Sequence, residues 1–203
     1  MDSLRDLADS ANALLAECGA APQAADAIGR MVGDGASTLV ARAFAAAGCH
    51  QPPDALSRFL AIYNARLLKF TRPYPGMPEA LEALSSRAAL GVLTNKPLGA
   101  SLAILEGLDL RRFFGPDRVL GGDGPFPRKP DPAGLRHLMG RLGVVTGDTV
   151  LIGDSVIDAR TARAAGTAVC VARYGFGFQG FPVSELSGDD RLADRPIDLV
   201  SIL

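Results

Sequence analysis

Val150-Leu151-Ile152-Gly153-Asp154-Ser155-Val156-Ile157-Asp158 is the stretch of this 203-residue chain whose reading decides the fold. Three consecutive aliphatic residues predict a short buried strand, and Gly153 ends it. Asp154 then stands at the carboxyl edge of that strand, where ligands of open parallel sheets bind. A helix is expected over 157–165, and Asp158 falls on its first turn, facing the same mouth. Two carboxylates so placed can serve Mg²⁺, which takes oxygen ligands and keeps waters. The simpler alternative is that Asp154 or Ser155 only caps the helix.

The same texture extends outward from this stretch. Helical spacing over 78–86 precedes an apolar run at 88–93, and a helix over 98–108 precedes Arg118-Val119-Leu120. A helix over 132–142 precedes Val150, and the helix over 157–165 precedes a run at 168–171. Such alternation predicts a parallel sheet with crossover helices. The short, wholly apolar strands suit a sheet covered on both faces. The tail, 197–203, reads as a last helix or an edge strand.

Upstream of Pro73-Tyr74-Pro75-Gly76 the pattern is different. Leu4, Leu7, Ala8, Ala11, Leu14 and Leu15 form one apolar stripe, which Ser3 could cap. Further helices are expected over 22–31, around Leu39, Val40, Ala43 and Phe44, and around Leu56, Phe59, Leu60, Tyr63 and Leu67. The expected organisation is therefore a helical cap region over 1–72 and an α/β core over 73–203.

Two other strand ends carry candidate chemistry. In Thr94-Asn95-Lys96-Pro97 a hydroxyl and turn N–H groups can hold phosphate oxygens, although Thr-Asn is also an ordinary turn. In Arg128-Lys129-Pro130-Asp131-Pro132 the prolines fix the direction of Lys129, which can neutralise phosphate charge or simply be solvated.

Composition narrows the classes. Hydrophobic residues are 48% and charged residues 21%, enough apolar material for a packed core. The net charge of −1, with no basic block, lacks the footprint of a nucleic-acid binder. No apolar run is long enough to span a bilayer, and the acidic start does not suit a signal peptide, so a cytoplasmic protein is expected. Cys18, Cys49 and Cys170 lack metal spacing and read as reduced thiols. His50 and His137 fall outside the strand-end motifs and read as surface or packing residues. Arg30 and Asp34 lie near the turn Val32-Gly33-Asp34-Gly35 and are weak candidates to face a substrate.

Taken in order, Thr94-Asn95, Lys129-Pro130 and Gly153-Asp154-Ser155-Val156-Ile157-Asp158 resemble the second, third and fourth motifs of the haloacid dehalogenase-like superfamily. The resemblance covers nearly the whole chain. Tyr74-Pro75-Gly76 looks like the subgroup with a helical cap. Residues 28–44 and Ala172-Arg173-Tyr174-Gly175-Phe176-Gly177 look like bacterial phosphoglycolate phosphatases. The resemblance implies an α/β fold with a doubly wound parallel core and an inserted helical cap. It implies a Mg²⁺-dependent phosphatase acting through an aspartyl-phosphate on a small phosphorylated substrate, with 2-phosphoglycolate foremost. Thr94 and Lys129 are the implied catalytic residues, and Thr94, Asn95 and Lys129 the implied substrate ligands. Asp154 and Asp158 are the implied metal residues. No nucleic acid or membrane partner is expected, and a homodimer is left open.

One departure matters. The family's first motif, Asp-x-Asp-Gly-Thr at the end of a central strand, supplies the nucleophile, and no two aspartates in this chain have that i, i+2 spacing. Met1-Asp2-Ser3-Leu4 resembles the residues that follow the motif. The expectation is a start set too far downstream, and little turnover for the chain as written. Without the central strand a gap of roughly 10 Å is expected between the strands ending at Thr94 and Ile152. Another segment fills it, the sheet closes differently, or the fragment folds poorly. A non-catalytic phosphate-binding or regulatory protein is the alternative function. A dehalogenase is disfavoured, because the acidic cluster suits a metal that dehalogenation on this fold does not need.

Overall fold

A computed structural model describes all 203 residues, Met1–Leu203. Four helices come first: α1 (Leu4–Glu17), α2 (Ala25–Met31), α3 (Ala36–Ala46) and α4 (Ala55–Asn64). Their apolar stripes meet in one cluster. Leu7, Leu14 and Leu15 of α1, Ile28 of α2, Leu39, Val40 and Phe44 of α3, and Phe59 and Tyr63 of α4 are all buried together. Each fully buried Leu or Phe contributes about 1.5–3 kcal/mol, so this cluster is the main support of the helical layer. The layer is not isolated, because Ala100 and Phe176 from the α/β part pack against it.

The second part runs α5 (Met77–Ser85), β1 (Val92–Leu93), α6 (Leu98–Gly107), β2 (Val119–Leu120), α7 (Ala133–Leu142), β3 (Val150–Gly153), α8 (Val156–Ala165), β4 (Ala168–Ala172), β5 (Arg191–Ala193) and α9 (Leu199–Ile202). All strand pairs are parallel, as the alternation predicts. The tail forms a helix rather than a strand. The edge strand β5 lies outside the expected alternation, because Arg191-Leu192-Ala193 is too short and too polar to signal itself.

The sheet is divided. β1 pairs only with β2, and β4 lies between β3 and β5 in a second sheet. β1 and β3 share no ladder, and no strand is hydrogen-bonded between them. The apolar run at 88–93 contributes only two paired residues, Val92 and Leu93. The reading of strands covered on both faces fails at β3, where Ile152 is 37% exposed. Its side chain lines the cavity between the half-sheets.

One local reading also changes. Ser3 makes no side-chain cap on α1; instead Asp2 Oδ1 accepts from the Leu4 N–H at 3.0 Å. Asp6, in the first turn of α1, is fully buried. Its Oδ2 accepts from the backbone N–H of Phe70 at 2.9 Å and of Thr71 at 2.8 Å, and from the Thr71 hydroxyl at 2.8 Å. An antiparallel bridge joins Asp2 to Arg72 beside it. The first helix is thereby tied to the segment that leaves the helical layer.

No helix is long and apolar enough to cross a membrane. The three cysteines are free thiols. His137 packs on the Phe126 ring, with centroids 4.6 Å apart, as a packing residue would.

Candidate active site

β1 and β3 both end at one cavity of about 380 Å³. That size suits a small ligand. Thr94, Asn95, Lys129, Asp154 and Asp158 all line it, so the structure brings every candidate residue from the three strand ends to one place.

Asp158 is set by the start of α8. Ser155 and Asp158 form a reciprocal capping box: the Asp158 N–H reaches Ser155 Oγ at 3.4 Å, and the Ser155 N–H donates to Asp158 Oδ2 at 3.1 Å. The Ser155 hydroxyl also donates to Oδ2, at 2.6 Å. Asp158 Oδ1 accepts from Lys129 Nζ at 2.5 Å. This carboxyl group is pulled in two directions. Burial disfavours its charge, but the Lys129 ammonium and the Ser155 donors outweigh burial and hold its pKa below the usual carboxylate value. The packing requires a glycine before it, because a Cβ on Gly153 would lie 2.2 Å from Asp158 Cγ. Of the two residues that could only cap the helix, Ser155 is the one that does so, with Asp158 rather than Asp154 as its reciprocal partner.

Asp154 has a different environment. Its Oδ2 accepts one hydrogen bond, from the Gly177 N–H at 3.0 Å, and Oδ1 accepts none. Burial first, and the neighbouring Asp158 charge second, raise its pKa. The segment Arg173–Gly177 wraps this side chain so closely that a Cβ on Gly175 would lie 2.3 Å from Asp154 Cβ. Phe176 N–H in the same segment donates to the Tyr74 hydroxyl at 3.1 Å.

Asn95 is buried and acts as a clamp. The Lys129 N–H donates to Asn95 Oδ1 at 2.9 Å, and Asn95 Nδ2 donates to Lys129 O at 3.0 Å and to Gly33 O at 2.8 Å. Its amide is thus occupied by protein on both sides. Asn95 sits at the expected place, but its bonds go to Lys129 and to the turn between α2 and α3. The Lys129–Pro130 peptide is cis. Thr94 Oγ1 accepts from the Lys96 N–H at 3.1 Å, which leaves its own proton available to a ligand.

Arg30 and Asp34 do not face the cavity: Arg30 is exposed, and Asp34 pairs with Arg42 at 2.7 Å on the surface. Lys96 and Tyr63 do line it, and the sequence alone assigns neither a role. The one signal for Lys96 is its place in the same turn as Thr94.

A divalent cation meets a partial donor set. No three His, Cys, Asp or Glu side chains cluster in a way that could hold a metal. Asp158 is committed to Lys129 and Ser155. Asp154 offers a free Oδ1 on the cavity wall, in a setting where extra positive charge relieves its crowding with Asp158. Mg²⁺ commonly binds through one or two carboxylates with substrate phosphate and water, so Asp154 fits as its protein ligand.

Known proteins resemble this chain in sequence and in fold. A family model described as haloacid dehalogenase-like hydrolase matches residues 1–172. The phosphoglycolate phosphatase of Rhodospirillum rubrum is 46% identical over 193 residues, covering 91% of this chain and 78% of the relative. The phosphoglycolate phosphatase of Caulobacter vibrioides is 38% identical over 197 residues, covering 93% and 80%. The crystal structure of a predicted phosphoglycolate phosphatase from Haemophilus somnus superposes with a TM-score of 0.89 at 30% identity, covering 98% of this chain and 91% of that one.

Proposed function

Because this chain belongs to the haloacid dehalogenase-like hydrolases, we propose that its site serves Mg²⁺-dependent hydrolysis of a small phosphomonoester, with 2-phosphoglycolate foremost. The observation that carries this reading is the fixed position of Lys129. Asn95 holds its backbone, Asp158 holds its ammonium at 2.5 Å, and the cavity lies beside it. Phosphoryl transfer depends above all on positioning and charge neutralisation. The phosphoglycolate phosphatases among the relatives support the choice of substrate.

The roles follow from the geometry. Lys129 offers positive charge to the phosphate oxygens. The Thr94 hydroxyl donates to one of them. Asp158 keeps the Lys129 ammonium aimed, and Asn95 acts through Lys129 as a positioning residue. Asp154 would hold Mg²⁺, which when bound supplies further charge neutralisation at the phosphate. The helical region 1–72 would act as a cap that excludes water from the site. The protein is expected in the cytoplasm.

The nucleophile in this reading is the first aspartate of an Asp-x-Asp-Gly-Thr segment on a strand between β1 and β3. It forms an aspartyl-phosphate that water then hydrolyses. This chain has no such pair, and its own turnover is expected to be very low. That same observation favours a second reading, a phosphate-binding protein without catalysis, since Asp154 and Asp158 are the only carboxylates lining the cavity. A panel of phosphomonoesters, assayed with Mg²⁺ on a form carrying the Asp-x-Asp-Gly-Thr strand, tests the substrate. The highest kcat/KM should fall on 2-phosphoglycolate; a clear preference for a monoester without a carboxylate contradicts the proposal.

A further inference from the structure

Lys96 is the side-chain cation in this cavity that the proposed chemistry does not use. Its ammonium carries three donors. One goes to the Tyr63 hydroxyl at 2.5 Å, and no other protein acceptor lies within hydrogen-bond distance. The Tyr63 ring stands 4.5 Å from Nζ, a cation–π contact that stabilises the charge without neutralising it. No carboxylate forms an ion pair with Lys96. Asp6 is the acid whose charge acts on it; Asp6 Oδ2 is committed to the backbone at Phe70 and Thr71, and Oδ1 is buried without a hydrogen-bond partner, so Asp6 compensates part of the Lys96 charge from a distance and makes no direct ion pair with it. Lys129, by contrast, is already matched by Asp158.

A part-buried ammonium without a direct ion pair is costly, and desolvation pulls the Lys96 pKa down to about 8 against the opposing charge of Asp6. Lys96 lines the same cavity as Thr94 and Lys129. It stands two residues beyond Thr94, and its own N–H donates to Thr94 Oγ1 at 3.1 Å. One tripeptide thus presents a phosphate-facing hydroxyl and an unpaired ammonium to one space. Tyr63, on α4, contributes the second half of the pair from the helical layer.

We propose that Lys96 and the Tyr63 hydroxyl form a second anion subsite, which takes the carboxylate of a short phosphorylated acid whose phosphoryl group lies at Thr94 and Lys129. The inference rests on the phosphatase reading above and adds the residues that select the acid. It limits the ligand to compact acids, because the two anchors come from neighbouring positions of one turn. It also gives the helical layer a part in selection, since Tyr63 belongs to α4 while Lys96 follows β1.

Binding measurements separate this subsite from the phosphate site, and they do not depend on turnover. Isothermal titration with 2-phosphoglycolate and with ethyl phosphate, both with Mg²⁺ present, compares ligands that share the phosphoryl group and differ in the carboxylate. The wild-type chain should bind 2-phosphoglycolate about ten- to a hundredfold more tightly, the range of one charge-assisted hydrogen bond. In Lys96→Met the ratio of the two affinities should fall to about 1, and Lys96→Arg should keep part of it. Tyr63→Phe should reduce the ratio, and it decides the matter if Lys96→Met does not fold by circular dichroism. If ethyl phosphate binds and the carboxylate adds nothing in the wild type, or if the ratio survives Lys96→Met, the subsite is overturned while the phosphate site stands. If neither ligand binds the folded wild type, the phosphate site fails and the subsite fails with it.

Discussion

Asn95 and Lys129 hold each other by two antiparallel hydrogen bonds, the Lys129 N–H to Asn95 Oδ1 at 2.9 Å and Asn95 Nδ2 to Lys129 O at 3.0 Å. The same Nδ2 donates to Gly33 O at 2.8 Å, so one amide joins two strand-end loops to the turn between α2 and α3. Asn95→Ala leaves the Lys129 N–H and the carbonyls of Lys129 and Gly33 without these partners. It should lower the unfolding free energy by on the order of 2–3 kcal/mol in urea titration. Asn95→Asp keeps the acceptor for Lys129 but offers no donor to Gly33, and should fall between the wild type and Asn95→Ala. Equal stability of all three proteins would show that the clamp carries no net energy.

Asp154 and Asp158 should respond to pH with opposite signs. The Asp158 pKa is depressed, so its contribution is present above the unfolded carboxylate value and is lost as pH falls through its folded value. The Asp154 pKa is raised by burial and by Asp158, so its ionisation costs stability at neutral pH, and that cost shrinks once pH falls below its folded value and is gone below the unfolded carboxylate value. Asp154→Asn should therefore be more stable than the wild type at pH 7, with the difference closing in acid. Mg²⁺ should raise the Tm of the wild type and leave that of Asp154→Asn unchanged. Thermal unfolding at pH 7 and in acid, with and without Mg²⁺, measures both. A Mg²⁺ shift that persists in Asp154→Asn would place the cation elsewhere.

Asp6 ties α1 to the segment at Phe70 and Thr71 through three hydrogen bonds to one oxygen. Asp6→Ala should cost on the order of 3 kcal/mol in equilibrium unfolding, because two backbone donors lose their acceptor, one of them at a fully buried residue. Asp6→Asn retains an acceptor and should cost less. If both substitutions cost the same small amount, the tie is made by the Asp2–Arg72 bridge instead.

The parts of this fold that repeat a pattern were legible from residues alone. Apolar spacing located the helices, and alternation located the parallel strands. Thr94, Lys129, Asp154 and Asp158 are singled out because ligands of parallel sheets bind at the carboxyl edge, and all four line one cavity. What was not legible depends on contacts distant in sequence. Asp6 looks like any acidic residue in a first helical turn until Phe70 and Thr71 are placed against it. Asn95 looks like a ligand until its amide meets Lys129 and Gly33. Lys96 became visible only once Tyr63, 33 residues away, was brought to its ammonium. β5 has no periodic signature and exists because Cys170, Val171 and Ala172 offer it an edge.

The divided sheet joins the fold to the chemistry. β1 and β3 end on opposite sides of one cavity and leave the strand between them unfilled, with Ile152 exposed to the space. On the proposed reading, an Asp-x-Asp strand in that space would bring a nucleophile beside Lys129, Thr94 and Asp154.

Release of orthophosphate from 2-phosphoglycolate with Mg²⁺, compared between this chain and the same chain preceded by an Asp-x-Asp-Gly-Thr strand, tests the central claim most directly. The extended form should hydrolyse the ester and this chain should be slower by on the order of 10⁴–10⁶, the cost of a missing nucleophile. A folded extended form without activity on 2-phosphoglycolate, or equal rates from the two chains, would contradict the account.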